Sequence, residues 1–184
     1  SFKDGEKTEL KINSCIVEDK VVTALDEQIK TCGVYTNKVN RVSIDNTSII
    51  NPSWDGVASL EAESLTVDRS DVTRDRTDTF AHGGTAIALL GSSTNGRLTI
   101  NDSKIGGFTK NIGNFQPFTT TLVNSVEINR VDLPFGHLGG WLTYINGGYI
   151  SMNSVQVVGL GVNTIFHQSP NPVSACINNC QFII

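Results

Sequence analysis

The sequence predicts an all-β solenoid of about seven coils with three short strands each, and three observations lead there. An eight-residue template recurs seven times without a gap, its fourth position is always Asn or Asp, and a further apolar run precedes most copies. Self-similarity of this kind marks repeat architectures, in which each unit buries its apolar face only by stacking on the next.

Taken in order, the copies are "LKINSCIV" from Leu10, "VSIDNTSI" from Val42, "LTVDRSDV" from Leu65, "LTINDSKI" from Leu98, "VEINRVDL" from Val126, "ISMNSVQV" from Ile150 and "ACINNCQF" from Ala175. The first and third columns are apolar throughout, from Leu10 and Ile12 to Ala175 and Ile177. The second is polar at Lys11, Ser43, Thr66, Thr99, Glu127 and Ser151, with Cys176 as its exception. A period of two makes a short strand with one buried face. The fourth column is Asn13, Asp45, Asp68, Asn101, Asn129, Asn153 and Asn178. Asn and Asp tolerate the left-handed conformation and bond nearby backbone, so this column is expected to turn the chain, its stacked side chains forming a ladder. The fifth column is wholly polar, the sixth is small or β-branched, and the eighth is apolar again from Val17 to Phe182, so inward alternation resumes.

The third strand of each coil is expected in "CGVYT" from Cys32, "VASLE" from Val57, "TAIALL" from Thr85, "TTLV" from Thr120, "WLTYI" from Trp141 and "NTIF" from Asn163. Third-column residues lie 32, 23, 33, 28, 24 and 25 positions apart, so constant strands carry loops of variable length at their corners.

This template, in coils of about two dozen residues, resembles the right-handed, single-stranded parallel β-helix of pectate lyases, polysaccharide hydrolases and phage tailspikes. The resemblance covers residues 10 to 184 and speaks for architecture more than for function. A β-sandwich would not demand Asn or Asp at constant phase, and no helix-period segment separates the strands as leucine-rich repeats require.

The 184 residues suit one domain, residues 1 to 184, and a first residue Ser with a single Met at Met152 suggests a piece of a longer chain. Only 17% of residues are charged and the net charge is -4, so no basic field draws nucleic acid or an anionic membrane. No apolar window is long enough for a membrane-spanning helix, and the N-terminus does not read as a signal peptide. Cys15, Cys32, Cys176 and Cys180 lack zinc spacing and read as buried free thiols, with no metal or other cofactor expected.

Binding surfaces of solenoids lie on an exposed sheet and on loops inserted at one edge. The longest intervals point to residues 18 to 38 and 73 to 97, and the second holds "TRDRTDTFAHGGT" with Arg74, Asp75, Arg76, Asp78, Phe80 and His82. Just before it, "SLEAES" alternates so that Leu60 and Ala62 face in while Glu61 and Glu63 face out on one strand. Paired outward carboxylates suit glycoside hydrolysis, with Asp75, Asp78 and an assisting His82 as further candidates. The plainer uses are a solvated strand face and local salt bridging within the loop. A second signal is "LPFGHLGGWLTYINGGY", which gathers Phe135, His137, Trp141, Tyr144 and Tyr149. Rings with a polar handle stack on sugars, though rings also fill cores. With Arg74 and Arg76, His137, Trp141 and Tyr144 form the expected substrate-binding set. "GHL" at 136 to 138 matches the Gly-His-Gly of polygalacturonases only in part, and neither their Asp-Asp pair nor their Arg-Ile-Lys is present.

The end "CINNCQFII" stops inside a strand, and an open coil asks for a cover, by continued chain or by trimer formation as in phage tailspikes. The leading expectation is a viral or phage tailspike-like β-helix, in the virion tail or extracellular, that binds and optionally cleaves a host-surface glycan as a homotrimer. A secreted polysaccharide hydrolase or lyase and a purely structural shaft are the alternatives.

Overall fold

The computed structural model describes residues 7–18, 32–74, 85–90, 96–108, 110–115, 125–134, 141–145, 148–158 and 173–183. These residues are all-β, with no helix among them. The first template copy supplies β1 (Glu9–Asn13) and β2 (Ile16–Glu18). A complete triplet follows as β3 (Val34–Asn37), β4 (Arg41–Asp45) and β5 (Ser48–Ile50). It recurs as β6 (Val57–Leu60), β7 (Ser64–Asp68) and β8 (Asp71–Thr73), then as β9 (Thr85–Leu90), β10 (Arg97–Asn101) and β11 (Lys104–Gly106). The series continues with β12 (Lys110–Phe115), β13 (Ser125–Asn129) and β14 (Asp132–Pro134), and with β15 (Trp141–Ile145), β16 (Gly148–Asn153) and β17 (Gln156–Val158). The last described pair is β18 (Val173–Asn178) and β19 (Gln181–Ile183).

Each strand pairs in parallel with its counterpart one repeat away. The first sheet runs β1-β4-β7-β10-β13-β16-β18, the second β2-β5-β8-β11-β14-β17-β19, and the third β3-β6-β9-β12-β15. Template columns stay in register across the first sheet, so that Ile12 faces Ile44 and Asn13 faces Asp45, and so on along the stack. The inward columns merge with Val34, Val57, Ile87 and Leu89 of the third sheet into one apolar core. Three parallel sheets around a shared core are compatible with a parallel β-solenoid. Full burial of each Ile, Leu or Val stabilises this stack by about 1.5–3 kcal/mol.

The corner after the first sheet differs from expectation. The left-handed residue is the fifth-column one, at Ser14, Asn46, Arg69, Asp102, Arg130, Ser154 and Asn179, with φ between 45° and 55°. The fourth-column Asn or Asp instead ends the strand. Holding a non-glycine residue left-handed costs about 1–2 kcal/mol. The corner offsets this by its bonds, since each fifth-column N–H from Ser14 to Ser154 donates to the fourth-column carbonyl of the next repeat, as Arg69 does to Asn101 at 3.0 Å. The sixth column adds a second set. Ser70 Oγ donates to the Asp68 carbonyl at 2.7 Å and accepts the Thr47 N–H at 3.1 Å, while Ser103 Oγ bonds the Asn101 carbonyl and the Ser70 N–H in the same way. Backbone and buried hydroxyls, rather than stacked Asn and Asp side chains, therefore satisfy the corner. Asn129 Nδ2 to Asn101 Oδ1 at 3.0 Å is a rung of the expected amide ladder, whereas Arg69 bridges Asp45 and Asp68 where two carboxylates would face.

Two further expectations change. The third strand before the fifth template copy is β12, at residues 110–115, while "TTLV" and "NTIF" lie outside the described residues. The cysteines are free thiols, but Cys15 is exposed and Cys32, Cys176 and Cys180 are half-buried. Cys15 and Cys180 occupy the sixth column of the first and last template copies, where packing is thinner than in the middle; Ile177 and Phe182 stand about as open.

Candidate functional site

The expected carboxylate pair does not share a strand. β6 ends at Leu60 and β7 begins at Ser64, so Glu61 and Glu63 belong to the corner between them, with buried Ala62 between. Glu61 is exposed and is itself a left-handed pivot, φ 60°, its N–H donating to the Leu90 carbonyl at 2.8 Å. Glu63 is tied down. Lys7 Nζ stands 2.7 Å from its Oε2 and Asn40 Nδ2 donates to its Oε1 at 3.3 Å. The Lys7 hydrogen bond chiefly holds the Glu63 carboxyl below its ordinary range, which opposes a role as proton donor.

Arg74, expected to hold substrate, is buried at 6% exposure. Its guanidinium donates to the Pro52 carbonyl from Nε at 3.0 Å and from Nη2 at 2.7 Å, reaches the Trp54 carbonyl at 2.8 Å, and lies 4.7 Å from the centre of the Phe108 ring. A cation held in this way is a packing clamp. Across the excursion, the Thr85 N–H donates to Asp55 Oδ1 at 2.7 Å, so both ends of the loop are moored to residues 52–55. Gly107 (φ 82°) makes the approach to Arg74 achievable, because a Cβ there would stand 1.9 Å from the Arg74 carbonyl oxygen. Asp75, Arg76, Asp78, Phe80, His82, Phe135 and His137 lie outside the described residues. Trp141 and Tyr144 are in β15, in register with Lys110 and Gly113.

The surface that the structure does assemble is the outer face of the first sheet. Alternation turns three residues per strand outward, which gives three rows crossing all seven strands. The first row is Glu9, Arg41, Ser64, Arg97, Ser125, Tyr149 and Ser174. The second is the second template column, and the third is the Asn and Asp column. None of these residues is buried, and all but Cys176 carry a strong hydrogen-bonding group. Strand spacing makes the face about 29 Å long, with neighbouring side chains about 4.8 Å apart along each row. Ser43, Thr66 and Thr99 have no protein partner for their hydroxyls among the described residues, and Tyr149 is 40% exposed.

Charges on and beside this face are mostly internally matched. Glu9 pairs with Lys11 at 3.3 Å, Arg69 with Asp45 and Asp68, and Arg130 with both oxygens of Asp102 at 2.5 and 2.7 Å. The Arg130 hydrogen bond holds the Asp102 carboxyl below its usual range, and Asp102 raises Arg130 in return. Elsewhere, burial and then the Asp55 charge push the Cys32 thiol up, away from the reactive thiolate. Among the described residues no His, Cys, Asp and Glu cluster could hold a metal ion, and no helix is long and apolar enough to cross a membrane.

Fold and face together define a class, a stack of parallel β-sheets whose first sheet turns a polar face outward among the described residues. No protein-family model, curated protein or solved structure matches the chain. Sequence reasoning had singled out loops and missed this face, although its signal was present in the polar second column. Arg41 and Arg97 stand one residue ahead of their templates and so escaped the alignment.

Proposed function

We propose that this chain is a right-handed parallel β-helix of about seven coils, of the tailspike kind, that binds an extended host cell-surface polysaccharide along the outer face of its first sheet. The observation that carries the reading is the outward-facing array of hydroxyl, amide and charged groups repeating at every strand. An extended glycan offers hydroxyls at a similarly regular pitch, so one polymer can bond many rungs at once, and Tyr149 adds a ring for stacking. In this reading the protein works in the virion tail or outside the cell, as a homotrimer. Binding without cleavage is the better supported form, because Glu63 is engaged by Lys7 and Asn40 and Arg74 is an internal clamp.

The test is retention on immobilised bacterial capsule and lipopolysaccharide. The parent chain is expected to be retained, a Thr66→Ala/Thr99→Ala variant to elute earlier, and Lys104→Ala on the second sheet to behave as the parent. Retention unchanged by the threonine pair overturns the placement of the site. Reducing-end release that falls in Glu61→Gln would favour hydrolysis, and a stable monomer in solution would remove the trimer. A structural shaft without ligand is the second reading, favoured by the self-satisfied corner bonds, and it expects no retention on any glycan.

A further inference from the structure

Arg41 and Arg97 are both exposed and, among the described residues, neither guanidinium is paired with a carboxylate. They stand in one row of the outer face, separated by Ser64 on the strand between, so their backbones are two strand spacings or about 9.5 Å apart. Beyond Arg97 the row continues with Ser125 and Tyr149. A polymer lying across the strands therefore meets cation, hydroxyl, cation, hydroxyl and ring in turn. Two rungs match the length of a disaccharide in an extended glycan.

The nearby anions do not cancel the two cations. Glu9, opposite Arg41, is paired with Lys11, and Glu63, which senses Arg41, is paired with Lys7. Among the described residues, Glu127 is the remaining carboxylate beside Arg97 on this face, one row over and one strand along. Guanidinium groups take carboxylates through two parallel hydrogen bonds, a geometry that a neutral sugar cannot supply.

Resting on the glycan-binding reading above, we infer that the ligand is an acidic polysaccharide in which a carboxylated sugar alternates with a neutral one. Arg41 and Arg97 take successive carboxylates, Ser64 and the hydroxyls of Ser43, Thr66 and Thr99 take the intervening sugar, and Tyr149 closes the row.

The experiment compares retention of the chain by three probes. These are hyaluronate, which alternates uronate with neutral sugar, carboxyl-reduced hyaluronate, and neutral dextran. The parent is expected to hold hyaluronate at least about tenfold more tightly than the reduced polymer, the loss of one charged hydrogen-bonding contact being of that order. Arg41→Gln and Arg97→Gln should each weaken hyaluronate binding about tenfold, the double variant should abolish it, and Glu127→Gln should strengthen it. Lys104→Gln, which removes a charge from the second sheet, should leave it unchanged and so separates the row from bulk charge. Equal binding of native and reduced hyaluronate, or full binding by the double arginine variant, overturns the acidic assignment while a Thr66-dependent affinity for dextran keeps the glycan reading. Failure to bind all three polymers overturns both. Circular dichroism of the arginine variants, both changed at exposed positions, verifies that the fold is intact.

Discussion

Thr47, Ser70 and Ser103 are the same residue types as Ser43, Thr66 and Thr99, drawn from the same three repeats, yet the two sets live in opposite environments. The first set is 1–5% exposed, and Ser70 and Ser103 each accept one backbone N–H and donate to one carbonyl. The second set faces outward without a protein partner among the described residues. Column position alone separates them. A hydroxyl whose bonds are already taken inside the corner holds the fold, whereas a hydroxyl left facing water is available to a ligand. Polarity in a solenoid therefore says little until its phase in the repeat is known.

The strongest way to break this comparison is on a single strand. Ile100 is fully buried and Thr99 beside it is half-buried on the outer face. Ile100→Ala should destabilise by about 2–5 kcal/mol, combining lost transfer energy with a residual cavity. Thr99→Ala should stay within about 0.5 kcal/mol, as surface changes do. Chemical denaturation measures both, and comparable losses would mean that the outer face is packed rather than free.

A sharper version keeps the chemistry constant. Ser70→Ala removes the acceptor of the buried Thr47 N–H and should cost about 1–3 kcal/mol, while Thr66→Ala, with no bond to lose, should be near neutral. Amide exchange at Thr47 should quicken in the first variant alone. If Thr66→Ala proved the costlier change, the division between structural and available hydroxyls would be inverted.

Much of this was legible in the sequence because burial follows the period of two. The inward columns from Val42 to Met152 and the strands in "VASLE", "TAIALL" and "WLTYI" follow the template. The left-handed fifth column was not legible, because Arg69 and Arg130 carry no sign of that conformation; it is imposed by the parallel stacking of N–H on carbonyl. β12 was hidden because "KNIGNF" carries two Asn and a Gly, residues depleted in strands, whereas "TTLV" is mostly β-branched. The fate of Glu63 depended on Lys7 and Asn40, 56 and 23 residues away, and that of Arg74 on carbonyls at 52 and 54, contacts that no local pattern encodes. Residue type thus did not foretell the partners of Glu63 and Arg74, whereas phase in the repeat did foretell burial.

The smallest effect lies at the corner ridge, where exposed charges resemble the outward arginines but are paired. The Arg130 hydrogen bond lowers the folded-state value of Asp102, so the pair's contribution is present above the ordinary carboxylate range and is lost as pH falls through the lowered value. Carbon-13 titration should find the Asp102 midpoint below about 3.9, the unperturbed Asp value, and moving up towards it in Arg130→Gln. Salt should shrink the difference, since an exposed pair is readily screened. Arg41, the smallest contributor to the lowering of Glu63, should let that carboxyl rise slightly when replaced by Gln. A midpoint of Asp102 indifferent to Arg130 would erase the distinction between paired and available cations on which the acidic-ligand row depends.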